Sequence, residues 1–88
     1  MNHINIIVKG KVQEVWFRDS TRREANRLDI MGFARNEPDG SVYIEAEGTE
    51  ENLEKLVQWC HIGSPQSNVS EIEITEGEIQ YFENFSIH

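Results

Sequence analysis

Apolar and polar side chains alternate near the start of the chain. Ile4, Ile6 and Val8 fall on one side of an extended backbone, and Asn5 and Lys9 fall on the other. A period of two residues is typical of a β-strand with one buried face. We therefore predict a first strand here, with its apolar face turned toward a core.

Residues 10–18 fit neither the strand period nor the helix period, and we expect them to form a loop. The pattern becomes helical from Asp19. Thr21 and Glu24 have the spacing of a capping box, and Gly32 can end the helix. These signals predict a first helix directly after the loop.

The middle of the chain predicts a hairpin followed by a second helix. Two alternating segments, residues 32–36 and 42–47, flank the turn dipeptide Asp39-Gly40, which is a strong hairpin signal. Thr49 is a good N-cap residue, and two glutamates follow it in the first turn, where the helix dipole favours acids. Gly63 is expected to end this helix.

Apolar residues at 69–74 and 82–87 predict a fourth strand and a short last strand. The element order is then β-α-β-β-α-β. This order is typical of a ferredoxin-like α+β sandwich, with an antiparallel sheet and two helices on one of its faces. We expect one domain that spans residues 1–88. Because the fold hosts many activities, it does not identify the function by itself.

Composition narrows the classes of partner. Sixteen acidic and eight basic residues give the 88-residue chain a formal charge of −8. Nucleic acids and anionic lipids are bound chiefly through basic patches, so we expect neither as a partner. The longest apolar run, Ile6-Ile7-Val8, is far shorter than the ~20 residues of a membrane span. The single cysteine, Cys60, excludes an internal disulfide, and together these features favour a cytoplasmic protein.

The loop before the first helix is a candidate anion site. Backbone N–H groups at a helix N-terminus have no partner within the helix, and the helix dipole adds partial positive charge. The loop ends in Arg18, whose planar guanidinium can hold two phosphate oxygens at once. Its position alone favours the alternative that Arg18 forms an ordinary surface ion pair, for example with Asp19.

Two segments make the anion site the stronger hypothesis: VKGKVQEVWFR at residues 8–18 and GFARNEPDGSV at residues 32–42. Both segments, and the spacing between them, resemble the signature segments of the acylphosphatase family. The resemblance covers nearly the whole chain. It implies a hydrolase that cleaves the carboxyl–phosphate bond of small acyl phosphates, with inorganic phosphate as product and inhibitor.

The resemblance also implies the residue roles. Arg18 would bind the phosphoryl oxygens, and Asn36 would orient the attacking water. The phosphate cradle would consist of Gln13, Glu14, Val15, Trp16, Phe17 and Arg18. The family uses neither a metal nor an organic cofactor, and we expect a monomer. Judged from the residues alone, the turn-residue interpretation of Asn36, before the hairpin, would be favoured.

Glu14 departs from the family pattern, which usually has glycine at this position of the cradle. Left-handed geometry at a glutamate costs roughly 1–2 kcal/mol. A negative charge about 6 Å from the bound anion would oppose binding by roughly 1–3 kcal/mol. The alternative function is therefore an anion-binding or regulatory module whose catalysis is impaired. Asp29 is a milder departure, at a position where the family often has glycine, and we expect it to tolerate left-handed geometry.

Several other polar residues carry no predicted function. His3 and His88 lie near the termini and are expected to face solvent, as are Glu45 and Glu47. Cys60 and the following histidine lack further spaced ligands, so a metal site is not expected there. An RNA-binding version of the fold would need basic, aromatic strand motifs, and a metal-carrier version would need a Cys-x-x-Cys loop.

Overall fold

Seven elements account for most of the chain. The computed structural model describes all 88 residues. In chain order the elements are β1 (Asn2–Lys11), α1 (Phe17–Arg27), β2 (Met31–Asn36), β3 (Val42–Gly48), α2 (Glu50–Ile62), β4 (Asn68–Glu76) and β5 (Phe85–Ile87). The predicted β-α-β-β-α-β order is confirmed, with β5 as the short last strand.

The five strands form one sheet in the order β4-β1-β3-β2-β5. β1 pairs antiparallel with β3 and β4, and β2 pairs antiparallel with β3. The prediction of a purely antiparallel sheet is wrong at one edge, because β5 runs parallel to β2. After β4 the chain crosses to the opposite edge of the sheet and enters β5 in the direction of β2. The sheet of this ferredoxin-like fold is therefore mixed.

Both helices bury one apolar face against the same side of the sheet. Ile6, Val8 and Ile44 from the central strands have no exposed surface, and neither do Ala25 of α1 and Leu56 of α2. These residues belong to one cluster of 16 buried hydrophobic side chains. The alternation seen in the sequence thus defines the core face, and no helix has the length and apolar character needed to cross a bilayer.

The start of α1 differs from the prediction. The helix begins at Phe17 rather than after Asp19, and its N-cap is Trp16, which makes no side-chain cap hydrogen bond. Thr21 is buried within the helix, and its hydroxyl donates to the carbonyl of Phe17 at 2.7 Å. The capping-box prediction is wrong because the Thr21 hydroxyl bonds back into its own helix.

The end of α1 also differs, since Gly32 lies within β2 and does not end the helix. The last helical residue is Arg27, and Asp29 follows with a φ of 55°. The expectation that Asp29 tolerates left-handed geometry is confirmed. Gly32 is needed for packing instead, because a Cβ there would lie 1.8 Å from the carbonyl oxygen of Glu45.

Local signals predicted α2 and the hairpin correctly. The Thr49 side chain accepts a hydrogen bond from the N–H of Asn52 at 3.1 Å, and Gly63 ends the helix with its N–H donating to the carbonyl of Trp59. β2 and β3 pair in register around a turn that contains Gly40 at a φ of 94°. The hairpin places Asn36 at the end of β2, next to the loop before α1.

A buried ion pair on the outer face of the sheet contradicts the expectation that His3 and Glu47 face solvent. They are only 4% and 1% exposed, and His3 Nδ1 lies 2.7 Å from a carboxylate oxygen of Glu47. The chain between β4 and β5 passes over this face. Its backbone N–H groups at Gln80 and Phe82 donate to the Glu47 carboxylate, which fastens the crossing segment to β3.

This pair makes folding stability depend on pH. Burial alone lowers the pKa of His3, but hydrogen bonds to Glu47 and Asn5 and the charges of Glu45 and Glu47 outweigh burial and raise it above its usual 6.5. Burial alone raises the pKa of Glu47, but hydrogen bonds from Gln80, His3 and Phe82 outweigh burial and lower it below its usual 4.5. The His3 contribution is therefore present below pH 6.5 and is lost as pH rises through its folded pKa. The Glu47 contribution is present above pH 4.5 and is lost as pH falls through its folded pKa.

We expect Glu47→Gln to lower the free energy of unfolding by about 2 kcal/mol, the scale of hydrogen bonds to a charged group. This loss of stability should be largest between pH 4.5 and 6.5 and should become smaller below and above that range. Urea unfolding across pH 3–9 measures this difference. The exposed carboxylate of Glu51 supplies the control variant Glu51→Gln. A pH-independent loss in Glu47→Gln would contradict the assignment to this ion pair.

Candidate active site

One cleft brings together most of the residues singled out in the sequence. It lies between the loop before α1, the first turn of α1, and the ends of β2 and β5, and its volume is about 390 Å³. Five of the predicted site residues line it: Glu14, Trp16, Phe17, Arg18 and Asn36. A larger groove of about 570 Å³ between β1, α2 and β4 has three glutamates and no lysine or arginine in its lining, so it does not suit an anion.

The loop backbone adopts the geometry of an anion cradle. Glu14 and Trp16 have φ values of 61° and 63°. Left-handed residues within a loop turn successive N–H groups to one side and create a concave anion site. The first hydrogen bond at the helix start runs from the N–H of Ser20 to the carbonyl of Trp16, so the N–H groups before Ser20 have no partner within the helix. Glu14 therefore adopts the left-handed conformation whose cost for a glutamate was estimated from the sequence.

The side chains of Gln13 and Val15 support the loop instead of lining the cleft. Gln13 Nε2 donates to the carbonyls of Glu37 and Ser41 at 2.8 and 2.9 Å, which ties the loop to the hairpin. Val15 is buried, and its carbonyl accepts from the Ser64 hydroxyl at 2.7 Å. Only their backbone N–H groups could therefore reach an anion. Ser64 was not among the predicted site residues, because its contact with the loop joins positions 49 residues apart and leaves no local signal.

Arg18 is the one arginine without an aspartate or glutamate partner. The chain has five arginines. The other four are paired: Arg22 and Arg23 with Asp19, Arg27 with Glu24, and Arg35 with Glu37. Arg18 donates from Nη1 to the main-chain oxygen of His88 at 2.7 Å, which orients the guanidinium. The alternative of a surface ion pair between Arg18 and Asp19 is therefore wrong, and the guanidinium lines the cleft with no aspartate or glutamate side chain bound to it.

Asn36 lines the same cleft and has an unused acceptor atom. It is half-buried at the end of β2, opposite Val42, and its Oδ1 is buried with no hydrogen-bond partner. A buried polar atom without a partner costs about 1–3 kcal/mol, so such atoms usually serve a ligand or a water molecule. A turn residue would direct this oxygen to a backbone N–H nearby. The cleft therefore combines a cation, free N–H groups and a free acceptor.

The structure contains no group of three or more histidine, cysteine, aspartate or glutamate side chains arranged to hold a metal ion. Cys60 is fully buried, and burial raises the pKa of its thiol to about 12, which keeps it protonated and unreactive. His61 lies exposed in the last turn of α2.

Comparisons with known proteins point to one family and one fold. The family model described as acylphosphatase matches residues 4–87. An acylphosphatase of Thiobacillus denitrificans is 44% identical over 98% of this chain and 99% of the relative. The crystal structure of acylphosphatase from Bacillus subtilis superimposes with a TM-score of 0.97 at 39% identity, covering 100% of this chain and 99% of that one. An acylphosphatase structure from Coxiella burnetii superimposes with a TM-score of 0.95 at 32% identity, covering 99% of this chain and 92% of that one.

Proposed function

The chain belongs to the acylphosphatase family and acts as a hydrolase of acyl phosphates, and we propose that the cleft around Arg18 and Asn36 is its active site. The Arg18 guanidinium and the backbone N–H groups of residues 13–18 bind the phosphoryl oxygens. Asn36 orients the water that attacks phosphorus. The observation that supports these roles best is the convergence in one cleft of Arg18, which has no aspartate or glutamate partner, and Asn36, whose Oδ1 has no hydrogen-bond partner.

The chemistry needs little more than positioning and charge neutralisation. The water oxygen attacks phosphorus, the bond between phosphorus and the acyl oxygen breaks, and the carboxylate leaves with the bonding electron pair. Because a carboxylate is a good leaving group, it needs no protonation. The proton of the water passes to a phosphoryl oxygen of the substrate, which yields inorganic phosphate. Arg18 and the loop N–H groups stabilise the charge on the equatorial oxygens.

Turnover of benzoyl phosphate tests the proposal against the alternative of an impaired anion-binding module. We expect steady hydrolysis, competitive inhibition by inorganic phosphate, and the same rate after exhaustive chelation with EDTA. Phosphate binding without turnover would favour the binding module. Activity that chelation removes and magnesium restores would contradict the cofactor-free mechanism.

Replacing Glu14 separates the two expected effects of this residue. Its left-handed conformation already exists in the folded protein, so the cost of strain falls on folding stability and not on phosphate binding. Its charge, however, opposes a bound anion. We expect Glu14→Gly to lower the inhibition constant of inorganic phosphate roughly three- to tenfold at low salt. Added salt should reduce the difference in this constant between the variant and the parent protein. Lost activity in this variant would instead mean that Glu14 has an active role.

We further propose that the protein works as a monomer in the cytoplasm and binds no nucleic acid. The edge strand β4 carries Glu71 and Glu76 as well as Glu73, whose charge is paired with Lys9, and the like charges of Glu71 and Glu76 oppose pairing with a second copy. A free, buried thiol at Cys60 is typical of proteins in a reducing compartment. Sedimentation at increasing concentration tests the oligomeric state.

A further inference from the structure

The mouth of the cleft carries one carboxylate that no cation neutralises. Two acids line the cleft, Glu14 and Asp19. Asp19 pairs with Arg22 at 2.6 Å and with Arg23 at 3.0 Å, so its charge is balanced. Glu14 is exposed and makes neither an ion pair nor a side-chain hydrogen bond. The electrostatic character of the mouth therefore depends on Glu14.

The acyl group of the substrate must lie near this carboxylate. In an in-line displacement the attacking water and the leaving oxygen are on opposite sides of phosphorus. If Asn36 holds the water within the cleft, the acyl group extends toward the solvent-exposed mouth. Glu14 and Trp16, which is 75% exposed, are the lining residues most open to solvent, and the half-buried Ile87 belongs to the same lining. Trp16 and Ile87 offer apolar contact to the acyl carbons, and Glu14 adds a negative charge beside them.

We propose that Glu14 is a specificity-determining residue that selects acyl phosphates by the charge of the acyl group. Neutral and cationic acyl groups are accepted, and acyl groups with a second carboxylate are disfavoured. The inference rests on the proposed function, because it takes the phosphoryl group to be held by Arg18 and the cradle. Unit charges about 7 Å apart at an effective dielectric between 20 and 80 change binding roughly three- to fiftyfold, and exposure of Glu14 favours the lower part of this range.

Three rigid substrates of one shape test this selection. They are benzoyl phosphate, 4-carboxybenzoyl phosphate and 4-(aminomethyl)benzoyl phosphate, with neutral, anionic and cationic acyl groups. Because all three share the phosphoryl group, the ratio of their kcat/KM values cancels the repulsion between Glu14 and phosphate. Comparing each ratio between variants also cancels the different reactivity of the three compounds. The variant is Glu14→Gln, and Glu54→Gln is the control, since Glu54 is an exposed, unpaired carboxylate on α2 outside the cleft.

In Glu14→Gln we expect the ratio of kcat/KM for the neutral substrate to that for the anionic substrate to fall roughly three- to tenfold. The ratio for the cationic over the neutral substrate should fall by a similar factor. Glu54→Gln should leave both ratios unchanged. Added salt should move the parent ratios toward those of Glu14→Gln. If Glu14→Gln folds poorly, Glu14→Asn serves instead, because asparagine tolerates left-handed geometry.

Ratios within twofold of the parent values in Glu14→Gln would overturn the selection by charge while leaving the hydrolase intact. A parent protein that hydrolyses none of the three substrates would instead overturn the proposed function on which the selection rests. A loss of all three activities in Glu14→Gln with unchanged ratios would also overturn the selection, and would assign Glu14 to the catalytic machinery.

Discussion

Arg18→Ala should lower kcat/KM for benzoyl phosphate by roughly 10³- to 10⁵-fold, the range over which arginine contributes to phosphoryl transfer. The reason is specific to this residue. Arg18 is the only lysine or arginine that lines the cleft, so its removal leaves the cleft without a side-chain cation. Inorganic phosphate should also inhibit the variant much more weakly. Arg18→Lys should recover little activity, because a point charge cannot hold two oxygens as the guanidinium does.

Arg27→Ala is the matched control for this experiment. It removes an arginine from the same helix, but one whose charge is already paired with Glu24 at 2.5 Å and which lies outside the cleft. Its kinetics should match those of the parent protein. Because Arg18 also donates to the carbonyl of His88, urea unfolding of Arg18→Ala must show a folded protein. Unchanged phosphate inhibition in folded Arg18→Ala would show that the cradle lies elsewhere.

The parts of the fold that the sequence predicted correctly depend on local interactions. Thr49 caps α2 through the N–H of a residue three positions later, and the turn at Gly40 joins adjacent strands. The start of α1 was predicted incorrectly because its N-cap is Trp16, a residue type with no capping side chain. The loop before it is held by contacts that are remote in sequence, from Gln13 to the hairpin and from Ser64 to the carbonyl of Val15.

The buried pair of His3 and Glu47 shows a second feature that the sequence pattern does not predict. Both residues lie on the polar side of strand alternation, and such positions face solvent when nothing covers the sheet. They are buried because the chain crosses from β4 to β5 over them, and a crossing between opposite edges leaves no local signal. For Asn36, the sequence predicted part of the result. The family resemblance indicated that Asn36 belongs to the site, but only the packing around it shows that its Oδ1 has no hydrogen-bond partner.

Asn36→Ala should lower kcat by roughly 10²- to 10³-fold, the scale seen when one preorganised polar group is removed from an active site. We propose that its Oδ1 accepts from the attacking water, while Arg18 and the loop hold phosphate. The amide is neutral, so its loss leaves the charge of the cleft unchanged. Inhibition by inorganic phosphate should therefore change little, and the effect should appear in the transition state. Folding should persist, since the buried amide oxygen contributes no hydrogen bond to the fold.

Two further variants make this test specific. Asn36→Asp should be at least as damaging as Asn36→Ala, because it adds a negative charge beside an anionic substrate while keeping the shape of the side chain. Asn26→Ala removes an exposed asparagine from α1 and should leave turnover unchanged. Near-normal turnover in Asn36→Ala would make Asn36 a turn residue. Equal losses in kcat and in phosphate inhibition would place its amide in the phosphate cradle. Only a loss of kcat with phosphate inhibition retained separates the residue that positions water from the residues that bind phosphate.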